Sequence, residues 1–152
     1  MKGLVITSKG VEDAAAMEIK ELINSKCRAE EGCVIFDFKD YKDLCLLCYK
    51  SQSADRVLYL IGSFAFDDFF NELEKFIGKL DFGEWIKKYK KIKVECIRIG
   101  SHSFKSVDAE SKAAGFILKK TKGSAIAYKD YEIIFFIYII GSKCYFGVDF
   151  AG

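Results

Sequence analysis

Cys27-Arg28-Ala29-Glu30-Glu31-Gly32-Cys33-Val34-Ile35-Phe36-Asp37-Phe38 decides the fold of the first half of the chain. Cys27 to Glu30 and Gly32 to Phe38 read as two strands, and the Glu-Glu-Gly between them is a tight turn, so the stretch predicts a hairpin. Toward the N-terminus, Gly10 opens a helix to about Ser25, with Val11, Ala15, Ile19, Leu22 and Ile23 on one face at helical spacing. Leu4 to Thr7 precedes it as a short strand. Toward the C-terminus, Asp40 is placed to cap a helix whose apolar face includes Leu44, Leu47 and Cys48, and Arg56 to Phe64 is another strand. The order β-α-β-β-α-β fills the first 65 residues.

That order is the split βαβ, ferredoxin-like unit. The second half starts over. Asp67-Asp68 precedes a helix with Phe69, Phe70, Leu73, Phe76 and Ile77 as its apolar stripe, and acidic residues suit a helix start. Gly83-Glu84-Trp85-Ile86 follows, then Lys91 to Gly100 as a strand with Ile92, Val94, Cys96 and Arg98 on one face. Ser106 or Asp108 caps a helix to about Lys122, and Ile126 to Tyr128 is a brief extended segment. Tyr131 to Ile140 and Lys143 to Phe150 close the chain as a hairpin around Gly141-Ser142. The expected fold class is therefore α+β, α and β mixed, with domains at 1–65 and 66–152. Pro is absent and no Ser-rich linker separates the halves, which predicts rigid packing.

Composition excludes several classes. The chain is 51% hydrophobic and 15% aromatic, well outside the disordered range. Its longest apolar run, Ile133 to Gly141, is far shorter than the ~20 residues of a membrane helix and reads as a strand buried on both faces. The N-terminal stretch from Met1 lacks a long apolar leader core, so a cytoplasmic location and no membrane partner are expected. Cys45 and Cys48 form a C-x-x-C inside an apolar helical stretch without a turn, which favours core thiols over a zinc or redox pair. Charge is segregated: from Glu84 to Lys129, 12 Lys/Arg stand against 4 Asp/Glu, while the whole chain carries only +2. Clustered cations suit a polyanion, although a solvated Lys-rich surface has the same composition.

Catalytic signatures are missing. There is no G-x-G-x-x-G after a strand, no G-x-x-x-x-G-K-[ST] and no G-x-S-x-G, and a single His excludes His-rich metal sites. No catalytic residue, no metal and no cofactor are expected in this chain. One constellation stands out: Arg98-Ile99-Gly100-Ser101-His102-Ser103-Phe104-Lys105-Ser106-Val107-Asp108 leaves a basic strand, crosses a loop and enters a helix. Hydroxyls, a glycine, a His and cations at a strand-to-helix junction can cradle phosphate, because helix N-terminal N–H groups favour anions. Lys112, Lys119, Lys120 and Lys122 extend the basic surface. On spacing alone, Phe104 and His102 could equally be loop-packing residues and the lysines a solvated face.

The run R-x-G-x-H-x-F-x-S-x-D, followed by Ala113 and Gly115, resembles the signature of archaeal THUMP domains in RNA-modifying enzymes. Thr7-Ser8-Lys9-Gly10-Val11-Glu12-Asp13 resembles the T-x-x-G-x-E start of the ferredoxin-like domain that precedes THUMP there. Gly141-Ser142-Lys143-Cys144-Tyr145-Phe146-Gly147-Val148-Asp149 is similar to their final hairpin. The resemblance runs through the whole chain, above all to tRNA guanine-N2 methyltransferases acting on the acceptor stem. In that family a Rossmann-like domain using S-adenosylmethionine follows the final Asp-x-x-Gly, where this sequence stops at Asp149-Phe150-Ala151-Gly152. With no glycine-rich cofactor loop and no Asn/Asp-Pro-Pro-aromatic motif, the methyltransferase activity does not carry over to this chain.

The resemblance implies an RNA grip on tRNA, at the acceptor arm and 3′ end, working with a methyltransferase domain in cis or in trans. The implied RNA contacts are Arg98, Gly100, Ser101, His102, Lys105 and Ser106, with Lys112, Lys119, Lys120 and Lys122 as secondary electrostatic contacts. Phe104 is expected to pack and Asp108 to cap the helix. Two other classes stay open: a small-molecule regulatory domain, since ferredoxin-like folds host such sites, and a protein-interaction module using a sheet edge.

Overall fold

The computed structural model of the chain describes residues 1–83, 85 and 89–149. Glu84 and Ile86 after the second apolar helix, Lys87 and Lys88 of the basic stretch, and Phe150, Ala151 and Gly152 of the closing motif lie outside the described residues. The chain is α+β and divides into two compact units, Met1–Ile61 with Gly147–Gly152, and Gly62–Phe146.

In the first unit, β1 (Lys2–Ile6), β2 (Cys27–Glu30), β3 (Cys33–Asp37) and β4 (from Arg56, reaching Ala65) lie in the order β2-β3-β1-β4. The β1–β3, β1–β4 and β2–β3 pairs are antiparallel, which is the expected split βαβ arrangement. Register sets Val5 opposite both Val34 and Val57. These residues and Phe36 pack with Ala15 and Ile19 of α1 (Glu12–Ile23) and Leu44 and Leu47 of α2 (Tyr41–Lys50). Each of the Val, Ile, Leu and Phe side chains among them contributes about 1.5–3 kcal/mol when fully buried.

The helix ends follow local chemistry. Gly10 adopts φ +99° and donates its N–H to the Glu12 carboxylate, so α1 starts two residues later than the hydrophobic spacing predicts. Val11 therefore stands outside the helix and is exposed. Asn24, left-handed at φ 51°, closes α1 by donating to the Lys20 carbonyl. Asp40 caps α2 as expected, accepting the Lys42 N–H at 3.0 Å.

The expectation of core thiols in C-x-x-C is corrected. Cys45 and Cys48 are exposed, because α2 buries only the narrow stripe of Leu44 and Leu47 and both cysteines fall beyond its edges. The buried thiols are Cys33, Cys96 and Cys144.

The second unit contains α3 (Phe69–Lys79), β5 (Lys91–Ile99), α4 (Ser106–Lys120), β6 (Ala125–Ile126), β7 (Ile133–Ile140) and β8 (Lys143–Asp149), whose last residues return to the first unit. Strand order is β8-β7-β5-β6, with β5 parallel to both β7 and β6. Every residue of β7 is buried, as its unbroken apolar run predicts. Ile92, Val94 and Cys96 of β5 are buried and Ile97 and Ile99 exposed, the expected alternation. Helix α4 stops at Lys120, short of Lys122: the Thr121 hydroxyl donates back to the Ile117 carbonyl, and Gly123 turns at φ +84°.

Gly147 belongs to the closing hairpin because a Cβ there would lie 2.4 Å from the Tyr59 carbonyl oxygen. Gly147→Ala should therefore destabilise the protein by about 1–3 kcal/mol in denaturant unfolding, the cost of overpacking against backbone. Thiol labelling of the native protein at pH 8 should mark Cys45 first. Cys48 should follow more slowly, since partial burial of its sulfur and then the Asp149 carboxylate raise its pKa. Cys96, pushed up to about 12 by burial and then by Glu110, should react only on unfolding, as should Cys144, raised by burial.

Candidate nucleic-acid interface

Strand β5 delivers Arg98 to the rim of the second unit, and the chain turns at Gly100 with φ +109°. A Cβ at Gly100 would meet the Gly141 nitrogen and the His102 ring only at ordinary contact distance, 3.6 Å each, so it is the left-handed backbone angle that selects glycine. Arg98 Nη1 donates to the Gly100 carbonyl at 3.2 Å and to His102 Nδ1 at 3.2 Å. A guanidinium only donates, so Nδ1 accepts and the imidazole proton sits on Nε2, an assignment made from the hydrogen-bond network. Nε2–H donates to the Gly141 carbonyl at 2.6 Å. The Gly141 N–H in turn donates to the Ile99 carbonyl at 3.0 Å. Arg98, Gly100 and His102 thus form one staple between the β5–α4 loop and the β7–β8 turn.

Under the loop, Phe104 is buried and stacks on Phe69 at 4.6 Å, with Phe66 and Phe70 around it. It packs, as expected. Such aromatic pairs each contribute about 0.5–1.5 kcal/mol beyond burial. Lys105 is the N-cap of α4, and its N–H donates to the Asp108 carboxylate at 2.9 Å, so Asp108 rather than Ser106 caps the helix. The Ser106 hydroxyl instead meets the buried Cys96 thiol, easing its pKa back down against the larger effect of burial.

Ser101 and Lys105 are exposed at the loop, and Lys112, Lys119 and Lys122 are exposed along and beyond α4. Among the described residues none of these four lysines has a carboxylate partner. Lys120 differs: its ammonium donates to the Gly78 carbonyl at 2.7 Å and to the Leu80 carbonyl, tying α4 to the end of α3. Lys90, Lys120 and Lys122 rim a cleft of about 600 Å³ whose walls include Leu80 and Phe82. A fifteen-residue helix is about 22 Å long. The candidate residues therefore form a band from the Arg98 loop along α4 to this cleft, rather than one cluster.

A band of exposed ammonium groups over a rigid helix can neutralise successive phosphates. Among the described residues no group of three His, Cys, Asp or Glu could hold a metal ion. Sequence reasoning did not find Gly141 as the partner of His102, because it lies 39 residues away and contributes only a backbone carbonyl. Lys90, at the cleft, was also outside the sequence-derived site.

His102→Ala should loosen the loop and lower stability by about 1–3 kcal/mol, leaving the Arg98 guanidinium and the Gly141 carbonyl short of a partner. A two-bond ¹H–¹⁵N spectrum at pH 8 should show the Nε2–H tautomer. An Nδ1–H signal there would contradict the staple.

The THUMP domain family model matches residues 68–149. The chain is 26% identical over 160 aligned residues to the tRNA (guanine(6)-N2)-methyltransferase of Methanocaldococcus jannaschii, covering 99% of this chain and 39% of that protein. The chain thus spans well under half the length of this curated relative. Among solved structures it is similar to TrmN from Thermus thermophilus, with a TM-score of 0.76, 19% identity, and 100% of this chain covering 46% of that one. It is also similar to a 4-thiouridine synthetase solved in complex with RNA and ATP, with a TM-score of 0.63, 16% identity, and 97% of this chain covering 40% of that one. Since the family model matches more than half of its residues, the chain belongs to the THUMP domain family.

Proposed function

We propose that this chain is the substrate-gripping part of a cytoplasmic tRNA-modifying enzyme and holds the acceptor arm and 3′ end of tRNA. The observation that carries the proposal is the band of exposed lysines, Lys105, Lys112, Lys119 and Lys122, which have no carboxylate partner among the described residues, on a THUMP domain. The relative named as a tRNA methyltransferase supports tRNA as the partner, and the RNA-bound structure of similar fold supports RNA as the ligand class.

In this reading the staple residues Arg98, Gly100 and His102 shape the loop and present its outer edge, with Ser101 and Lys105, to the RNA. Ser106 fixes the helix start against the sheet. Lys112, Lys119 and Lys122 supply charge along the backbone, and Lys120 adds its field while holding the end of α3. Chemistry belongs to a methyltransferase domain acting in cis or in trans, and S-adenosylmethionine is the cofactor of that domain. This chain contributes binding and placement, which convert a bimolecular encounter into a positioned one.

The test is binding of this chain to tRNA, with and without its 3′ end, across a salt series. If the four lysines each neutralise one phosphate of a single-stranded end, log K should fall against log[salt] with a slope of about −3. Loss of the 3′ end should weaken binding by about tenfold or more. Absence of binding at low salt, both for this chain and for the chain joined to a methyltransferase domain, would reject the RNA reading.

A further inference from the structure

Helix α4 carries Asp108, Lys112, Gly115 and Lys119 at alternating spacings of four and three, which places them on one stripe, with Lys105 at its N-cap and Lys122 just beyond its end. All six are exposed. Gly115 lies in the middle of this helix, where glycine is less stable than alanine. None of the usual reasons for glycine applies. Its φ is not left-handed, and a Cβ there would meet no atom within 4 Å. Gly78 also has open space above it, but it lies in the last turn of α3, where its carbonyl serves Lys120. The fold would therefore accept a side chain at Gly115.

Lys112 and Lys119 flank this bare patch one turn to either side, so an approaching polyanion meets helix backbone between two ammonium groups. Asp108 bounds the strip toward the loop, because its carboxylate is held at the Lys105 N–H and repels phosphate. Lys120 points away, toward the end of α3. We propose that Gly115 is a close-approach point, at which the sugar-phosphate backbone of the bound RNA crosses α4 between Lys112 and Lys119. This rests on the RNA-binding reading above and gives the RNA a path along the outer face of the helix, beyond the Arg98 loop.

The experiment compares wild type, Gly115→Ala, Gly115→Gln and Lys112→Ala in thermal melting and in tRNA binding over a salt series. Both Gly115 variants should melt at or above the wild-type temperature. Gly115→Gln should bind tRNA about tenfold more weakly and Gly115→Ala by less, with the salt slope unchanged because every cation remains. Lys112→Ala should reduce the salt slope by about 0.7. Wild-type affinity in Gly115→Gln would overturn the proposal while leaving the RNA reading intact. Lower melting temperatures in both Gly115 variants would also overturn it, by showing that the glycine serves the fold. If wild type bound no tRNA at low salt, either alone or joined to a methyltransferase domain, the RNA reading and this inference would fall together.

Discussion

The parallel pairing of β5 with β7 is the constraint on which the second unit depends. Ile92 to Ile99 run in register with Ile133 to Ile140, and β7 is buried at every position. Two parallel neighbours cannot be joined by a tight turn, so the chain must cross over, and α4 with β6 is that crossover. The register sets Ile99 opposite Ile140, and so sets the β5–α4 loop beside the β7–β8 turn at Gly141. Without that alignment His102 has no Gly141 carbonyl to bind, and the His102 acceptor of Arg98 is no longer held in place. Ends of parallel strands are places where loops converge and ligands bind in many α/β proteins.

The signature residues of the loop and the lysines of the helix therefore meet different physical demands. Arg98, Gly100 and His102 turn their polar atoms inward, on each other and on Gly141. Phe104 anchors the loop from below through Phe69. These contacts hold a short connection still at the surface. The exposed lysines lie on α4, a rigid element whose buried face, Ala109, Ala113 and Ile117, is small enough to let the helix sit close to its neighbours. Cations on a fixed helix keep their spacing, and that matters when the ligand is a chain of regularly spaced charges.

Much of the fold was legible in the sequence because it rests on local periodicity. The apolar run of β7, the alternation in β5 and the Asp40 cap each follow from one segment and its immediate neighbours. Local reasoning failed at Cys45 and Cys48, where helical spacing alone did not say how wide a stripe α2 would bury. It also failed at Val11, where the left-handed turn at Gly10 overrode the apolar spacing. In the candidate site, Asp108 was read correctly as a cap from the helix start it adjoins, and the packing of Phe104 followed from the family resemblance. The assignment of Ser106 as a possible cap was not correct, since its hydroxyl is turned to Cys96 in the neighbouring strand.

By itself the sequence determined the elements, their order, the family resemblance and the segregation of positive charge into Glu84 to Lys129, because all of these are properties of residues near one another in the chain. Only the tertiary structure decided what the residues in that segment do. It closed Arg98 and His102 onto a backbone carbonyl 39 residues away, drew Lys120 to the end of α3, and left Lys105, Lys112, Lys119 and Lys122 facing solvent. The reason is that a side chain's partner is fixed by strand register and helix rotation, and both are set by burial across the whole unit rather than by neighbouring sequence.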